Sequence, residues 1–201
     1  MSPLPATVDL LPELGSAASE EELGELLAEG SREELLAALM RLYGPAIYRY
    51  CRQMVKDAEL AEEAHQMTFV QAYESLSSFA GRSSLRSWLF SIARHRSLDA
   101  AKIARRRRRR FQLVAEPPEA PAPEPVAEER LARESLGRLV RQCLSELAPR
   151  TRSALLLRFQ QELPYEEIGL LSGERAGTLR VRVTRALPLL RRCLERRGFR
   201  P

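Results

Sequence analysis

Sixteen consecutive residues near the middle of the chain, Val114–Glu129 (VAEPPEAPAPEPVAEE), cannot contribute to a folded core. Their five prolines lack backbone donors and favour extended polyproline-type chain, and the glutamates between them stay in water. Such a segment is a spacer, and at about 3.1 Å per residue it reaches on the order of 50 Å. Whatever folds must fold on either side of it. The 201 residues therefore divide into an acidic N-terminal extension (1–30), a first domain (31–112), the linker (113–129) and a second domain (130–201).

Both flanking segments carry helical periodicity. Ser31 is placed to cap a helix reaching about Met54, with Leu35, Leu39, Leu42, Ala46, Tyr50 and Met54 at three- and four-residue spacing. Asp57 opens a second helix to about Leu76, striped with Ala61, Ala64, Thr68 and Ala72. Its other face holds Glu59, Glu62, Glu63, Gln66, Met67 and Val70, which reads either as a solvated acidic face or as a protein-binding patch. Ser78–Ser84 is a loop, and Ser83 or Ser84 caps a third helix with Leu85, Trp88, Leu89 and Ile92 inward. His95 and Asp99 stand four apart, where they can pair.

Beyond the linker, Leu136, Leu139, Val140, Cys143, Leu144 and Leu147 form an amphipathic helix, followed by one around Thr151–Gln160. A short helix, Tyr165–Leu171, stops at Ser172-Gly173, and another opens near Ala176. Two helices across a glycine-containing turn, the second basic, are the helix-turn-helix arrangement. Pro188 should kink or end that second helix. The fold class is all-α.

The net charge of +5 conceals an asymmetry. Residues 1–30 hold seven acids and no cation, residues 82–110 eleven cations against one acid, and residues 175–200 nine against one. All but Lys56 and Lys102 of the 32 cations are arginine, whose planar fork suits phosphate and guanine edges. The run Arg105–Arg110 steps about 100° per residue, so it covers every side of a helix and leaves no core face. Two basic blocks in separate domains suggest two contacts with one polyanion. The acidic leader could also fold over a basic block and weaken such contacts.

Several classes are excluded. No apolar run approaches the roughly 20 residues of a membrane span. No basic stretch precedes an apolar one near the N-terminus, so a secretory signal is not expected. Cys51, Cys143 and Cys193 are odd in number and widely spaced, and they read as reduced thiols of a cytoplasmic protein, without a zinc site. No phosphate loop, dinucleotide fingerprint or nucleophile elbow is present, so neither a cofactor nor catalysis is expected.

Four segments, in order, resemble the extracytoplasmic-function (ECF) branch of the bacterial sigma-70 factors. Ala61–Phe69 (AEEAHQMTF) is similar to the family's AED-x-x-QE-x-F, and Trp88–His95 with Asp99 to its WL-x-x-IA-x-N-x-x-x-D. Tyr165–Gly169 (YEEIG) and Gly177–Ala186 (GTLRVRVTRA) are similar to its Y-x-EIA and GTVKSR-x-x-RA. The resemblance implies that Glu59, Glu62, Glu63, Gln66 and Met67 bind core RNA polymerase. It implies that Phe79, Arg82, Ser83, Ser84, Arg86, Trp88, Arg94 and His95 meet the −10 promoter element as single strand. It further implies that Arg175, Thr178, Arg180, Arg182 and Arg185 read the −35 element. Partners would be the core polymerase, promoter DNA and, as the family admits, an anti-sigma factor.

Departures from the pattern are Met67 where Glu is usual, His95 for Asn, and Arg175 for a capping Ser. Two other readings fit parts of the chain: an autonomous helix-turn-helix regulator, or a degenerate sigma-like protein that occupies polymerase without directing initiation.

Overall fold

A computed structural model describes residues 17–29, 31–111 and 128–199, and among these the secondary structure is helical without strands. The N-terminal group comprises α1 (Ala17–Glu29), α2 (Arg32–Met54), α3 (Ala58–Ser75, prolonged by a 3-10 turn at Leu76–Ser78) and α4 (Leu85–Phe111). The C-terminal group comprises α5 (Glu128–Glu146), α6 (Pro149–Leu155, continuing as a π-helical turn at Leu156–Gln160), α7 (Tyr165–Ser172) and α8 (Ala176–Arg196). The helix-turn-helix and the all-α class are as expected. Residues 112–127 lie outside the described residues, so of the linker 113–129 only Glu128 and Glu129 are placed, in α5.

The stripe on α2 is what fills the first core. Leu35, Leu39, Ala46, Tyr50 and Met54 are all buried, Tyr50 edge-on to Phe90 of α4 at 5.8 Å. The small residues Ala61, Ala64 and Ala72 let α3 lie close against α2 and α4. Asp57 accepts from Leu60 N at 3.1 Å, and Ser84 Oγ from Ser87 N at 3.1 Å, so two expected caps form. Ser31 also occupies an N-cap position, its carbonyl receiving Leu35 N in the first helical bond, but its side chain makes no capping bond.

Three other expectations are corrected. Cys143 and Cys193 form a disulfide between α5 and α8, with Cα atoms 5.7 Å apart; only tertiary packing brings residues 50 apart in sequence together. Pro188 does not end α8, which runs to Arg196. The proline stands on the exposed side, and buried Ala186 and Cys193 hold the helix on both sides of it. His95 does not pair with Asp99: His95 Nδ1 meets Ser91 O at 2.9 Å, while Asp99 binds Lys102 at 2.7 Å, a closer and fully charged partner. Of the acidic leader, residues 1–16 lie outside the described residues, and α1 packs on α2. Leu23 is buried against α2 and Glu22 pairs with Arg41.

Cys51 remains a thiol, buried beside Ser97 Oγ at 3.4 Å; burial pushes it up to about 11. With almost no thiolate and no access, Cys51 is expected to resist iodoacetamide in the folded chain and to react once denatured, as read by mass spectrometry.

Gly173 ends α7 in the left-handed region (φ 66°), sending the chain into α8. Gly169 faces that turn so closely that a Cβ would stand 2.7 Å from Glu174 O.

The two groups share one contiguous core. Tyr50 OH and Ser153 Oγ are 2.8 Å apart in its interior, and Arg152 Nη1 donates to Met54 O at 2.7 Å.

Candidate nucleic-acid interface

Glu59, Glu62, Glu63 and Gln66 recur at helical spacing along α3, and all four are exposed. Val70 prolongs the stripe, 47% exposed, and Met67 is half-buried beside it. Gln66 Nε2 reaches Glu62 Oε1 at 3.4 Å; Glu59 receives Arg107 at 3.4 Å. The face thus combines exposed carboxylates with an apolar end, a composition suited to a basic partner helix.

α4 stays helical through the whole arginine run. Arg105–Arg110 are exposed around the helix, and Arg107 turns toward Asp57 and Glu59. Lys56 is driven down from its ordinary range by burial and by the charges of Arg108 and Arg152. That end of the first group is strongly electropositive.

The expected −10 residues divide into two sets. Arg82 and Ser84 are exposed, Ser83 is half-buried in the loop, and Phe79 packs against Trp88 with ring centroids 5.3 Å apart. Both rings are half-buried, leaving part of the pair at the surface. His95 is exposed. Arg86 and Arg94 instead turn toward the C-terminal group. Arg86 Nη2 donates to Gln161 O at 2.8 Å, and Arg94, only 6% exposed, has Nη2 at 3.8 Å from Glu174 Oε1.

On α8 the buried stripe is Leu179, Val183, Ala186 and Cys193. Opposite it, Arg175, Gly177, Thr178, Arg180, Val181, Thr184 and Arg185 are exposed. Arg180 lies over the Tyr165 ring at 5.5 Å, and Arg158 lies over the same ring at 5.5 Å. Arg182 differs from its neighbours: both its terminal nitrogens bond Glu174 in the turn. This fork holds the Glu174 carboxyl below the usual carboxylate range and raises Arg182 in turn.

Sequence reasoning did not find Val181, Ser87, Gln161, Glu167 or Glu174. Val181 has a signal, since about 100° per residue places it opposite Leu179 and Val183, at the outer midline of α8. Glu174 carried a weaker one, as the acid in the turn before an arginine-rich helix. Ser87, Gln161 and Glu167 carry none, because their role arises from contacts 75 to 80 residues apart.

Comparison with known proteins agrees with this geometry. Residues 39–111 match the family model described as Sigma-70 region 2, and residues 137–190 the model described as Sigma-70, region 4. The RNA polymerase sigma factor YlaC of Bacillus subtilis is 33% identical over 138 residues, 67% of this chain and 78% of that protein. The ECF RNA polymerase sigma factor SigE of Mycolicibacterium smegmatis is 30% identical over 156 residues, 76% of this chain, but the chain spans only 59% of SigE. Among solved structures, the sigma factor RpoE in complex with the anti-sigma factor NepR from Bartonella quintana aligns with a TM-score of 0.62 and 24% identity. That alignment covers 78% of this chain and 94% of RpoE. CnrH, solved with the cytosolic domain of CnrY, aligns at 0.64 and 21%, covering 88% and 97%. These two likenesses establish the fold.

Proposed function

This chain belongs to the ECF branch of the sigma-70 family of RNA polymerase sigma factors, and from that premise we propose how its surfaces divide the work. It binds core polymerase and directs transcription initiation at promoters; it is an initiation factor, and the chemistry belongs to the polymerase. Residues 31–112 serve as the polymerase- and −10-binding unit, 113–129 as the spacer, and 130–201 as the −35-binding unit. Residues 1–30 are an extension packed in part on the first unit.

The polymerase contact is the α3 face of Glu59, Glu62, Glu63, Gln66 and Met67. Arg82, Ser83, Ser84, His95 and the Phe79–Trp88 pair receive the −10 strand, the aromatic surfaces stacking on unpaired bases. Arg86 and Arg94 join them when the two units part. On the −35 side, Arg180 and Arg185 flank the outer face of α8, with Arg175 and Thr178 at its first turn and Arg182 oriented by Glu174. Val181 at the midline offers an apolar contact for a thymine methyl. The partners are core polymerase and promoter DNA, which places the protein in the cytoplasm. The two structural neighbours, each solved bound to another protein, support a protein antagonist as a further partner.

One observation carries this reading: the acidic α3 stripe and the outer α8 face are both exposed, on separate units. Reversing two charges of the stripe, Glu62→Arg with Glu63→Arg, is expected to weaken core polymerase binding about tenfold or more while melting temperature holds. Arg180→Ala with Arg185→Ala should leave polymerase binding intact and abolish −35-dependent initiation in transcription with purified components. If wild-type chain and core polymerase gave no promoter-specific transcript, the reading would fail.

A further inference from the structure

A groove of about 260 Å³ opens between α2 and α3, lined by Met40, Gly44, Pro45, Tyr48, His65 and Phe69. One wall is a stack of rings: His65 stands edge-on to Tyr48 at 5.5 Å and to Phe69 at 5.3 Å. Neither ring nitrogen of His65 has a hydrogen-bond partner among the described residues, so the ring acts here as apolar surface. Met40 is 47% and Tyr48 38% exposed, on a helix whose other large apolar side chains are at least partly buried.

Gly44 keeps this groove open. It lies in the middle of α2, without the positive φ that would demand glycine, and a Cβ at this position would meet nothing within 4 Å. A glycine inside a helix weakens it relative to alanine, and here neither a turn nor a close neighbour requires one. What the missing side chain provides is room at the floor of the groove.

The chain carries a segment suited to that room. α1 runs antiparallel to α2, since Leu26 shares a pocket with Leu35 and Glu22 pairs with Arg41. Five residues before Glu22, about 7.5 Å back along the axis, α1 begins at Ala17, level with residues 45–49 of α2. The sixteen residues preceding it carry Leu10, Leu11 and Leu14 beside Asp9 and Glu13, and no cation. Crossing α2 from there to the groove takes about 10 Å, one helix diameter, which a few residues span. Arg41 touches α1 and Pro45 lines the groove, so the side between them is the one that also holds Arg49 and Arg52. Neither Arg49 nor Arg52 meets a carboxylate among the described residues, and Arg49 Nε is buried without a partner. Covalent attachment this close gives an effective concentration on the order of millimolar, so a weak apolar contact is enough to fill the groove.

We infer that residues 1–16 dock in this groove, with Leu10, Leu11 and Leu14 supplying the apolar side chains and Asp9 and Glu13 meeting Arg49 and Arg52, and so screen the adjoining α3 face in the free chain. Glu62 and Gln66 stand one helical turn from His65 and Phe69, at the edge of that groove. The screening rests on the proposed polymerase-binding role of α3; the docking does not.

Methionine-methyl NMR of the full chain reads the groove through Met40. In wild type the Met40 methyl should show nuclear Overhauser contacts to leucine methyls that vanish in Leu10→Ser/Leu11→Ser/Leu14→Ser, while the core Met54 stays unchanged. The same triple variant should bind core polymerase about fivefold more tightly, the gain expected when about four wild-type chains in five are docked. Asp9→Arg with Glu13→Arg should move both readouts in the same direction, by repulsion from Arg49 and Arg52. A Met40 signal identical in wild type and the triple variant would overturn the docking, as would one that shifts with protein concentration, the mark of a second copy in the groove. Lost Met40 contacts with unchanged polymerase affinity would overturn the screening. If wild type and variant alike failed to bind polymerase, the polymerase reading would fall, with the Met40 result still deciding the docking.

Discussion

Replacing Arg152 by alanine is expected to lower the unfolding free energy by about 3–5 kcal/mol. The guanidinium, 5% exposed, sits at the corner between α5 and α6 and donates in four directions. Nε reaches Leu144 O at 2.8 Å, Nη2 reaches Ser145 O at 2.8 Å and Leu147 O at 3.1 Å, and Nη1 reaches Met54 O at 2.7 Å. Three of these carbonyls belong to the end of α5 and the turn after it, where intrahelical donors thin out, Leu144 O keeping Leu147 N at 3.1 Å. Arg152 thus finishes one helix and fastens a neighbouring one. Alanine strands carbonyls at about 1–3 kcal/mol each, partly offset by entering water, and leaves a cavity. Lysine should recover only part of the loss, because its ammonium has no planar fork to reach acceptors on opposite sides. Thermal unfolding should show a drop of about 10 °C for alanine and less for lysine. An alanine variant melting within about 2 °C of wild type would refute this account.

Breaking the Cys143–Cys193 bridge should have a comparable effect. Closing a loop of 50 residues removes enough unfolded-state entropy to stabilise the chain by about 4 kcal/mol. The local structure magnifies the consequence. Pro188 cannot donate to Thr184 O, so the last turns of α8 depend on tertiary anchors. These include the disulfide, Arg197 with Glu146 at 2.6 Å, Arg197 with Gln142 at 3.2 Å, and Arg196 with Glu146 at 3.8 Å. Cys143→Ser should therefore lower the melting temperature and speed amide exchange beyond Pro188, while exchange around Leu179 and Val183 changes less. Thiol titration of the denatured, unreduced protein should count one thiol, that of Cys51, rather than three. A count of three would refute the pairing.

Much of this molecule could be read from its residues. The α2 stripe is buried as its spacing requires, Asp57 and Ser84 cap as their side chains allow, and the glycine turn separates α7 from α8 where Gly173 permits a left-handed φ. The outer faces of α3 and α8 were equally legible, because an amphipathic helix declares its exposed side by elimination. The misses share a cause. Cys143 with Cys193, Arg152 with Met54, and Arg86 with Gln161 join residues 50 to 98 positions apart, and no local spacing encodes such meetings. The His95–Asp99 pair failed for a different reason: local spacing made the bond available, but Lys102 offered Asp99 a fully charged partner one turn away.

Periodicity, turn chemistry and the proline-rich spacer alone determined that this chain makes two helical units, one ending in a basic helix-turn-helix, since each is a property of neighbouring residues. Periodicity already turns Arg180 and Arg185 outward on α8, but only the tertiary structure decided which other arginines are taken up inside. Arg180 and Arg185 remain at the surface, whereas Arg94 and Arg152 are buried against carboxylate or carbonyl oxygens from distant helices. A charge's availability depends on what packs against it, and that is settled by the whole fold.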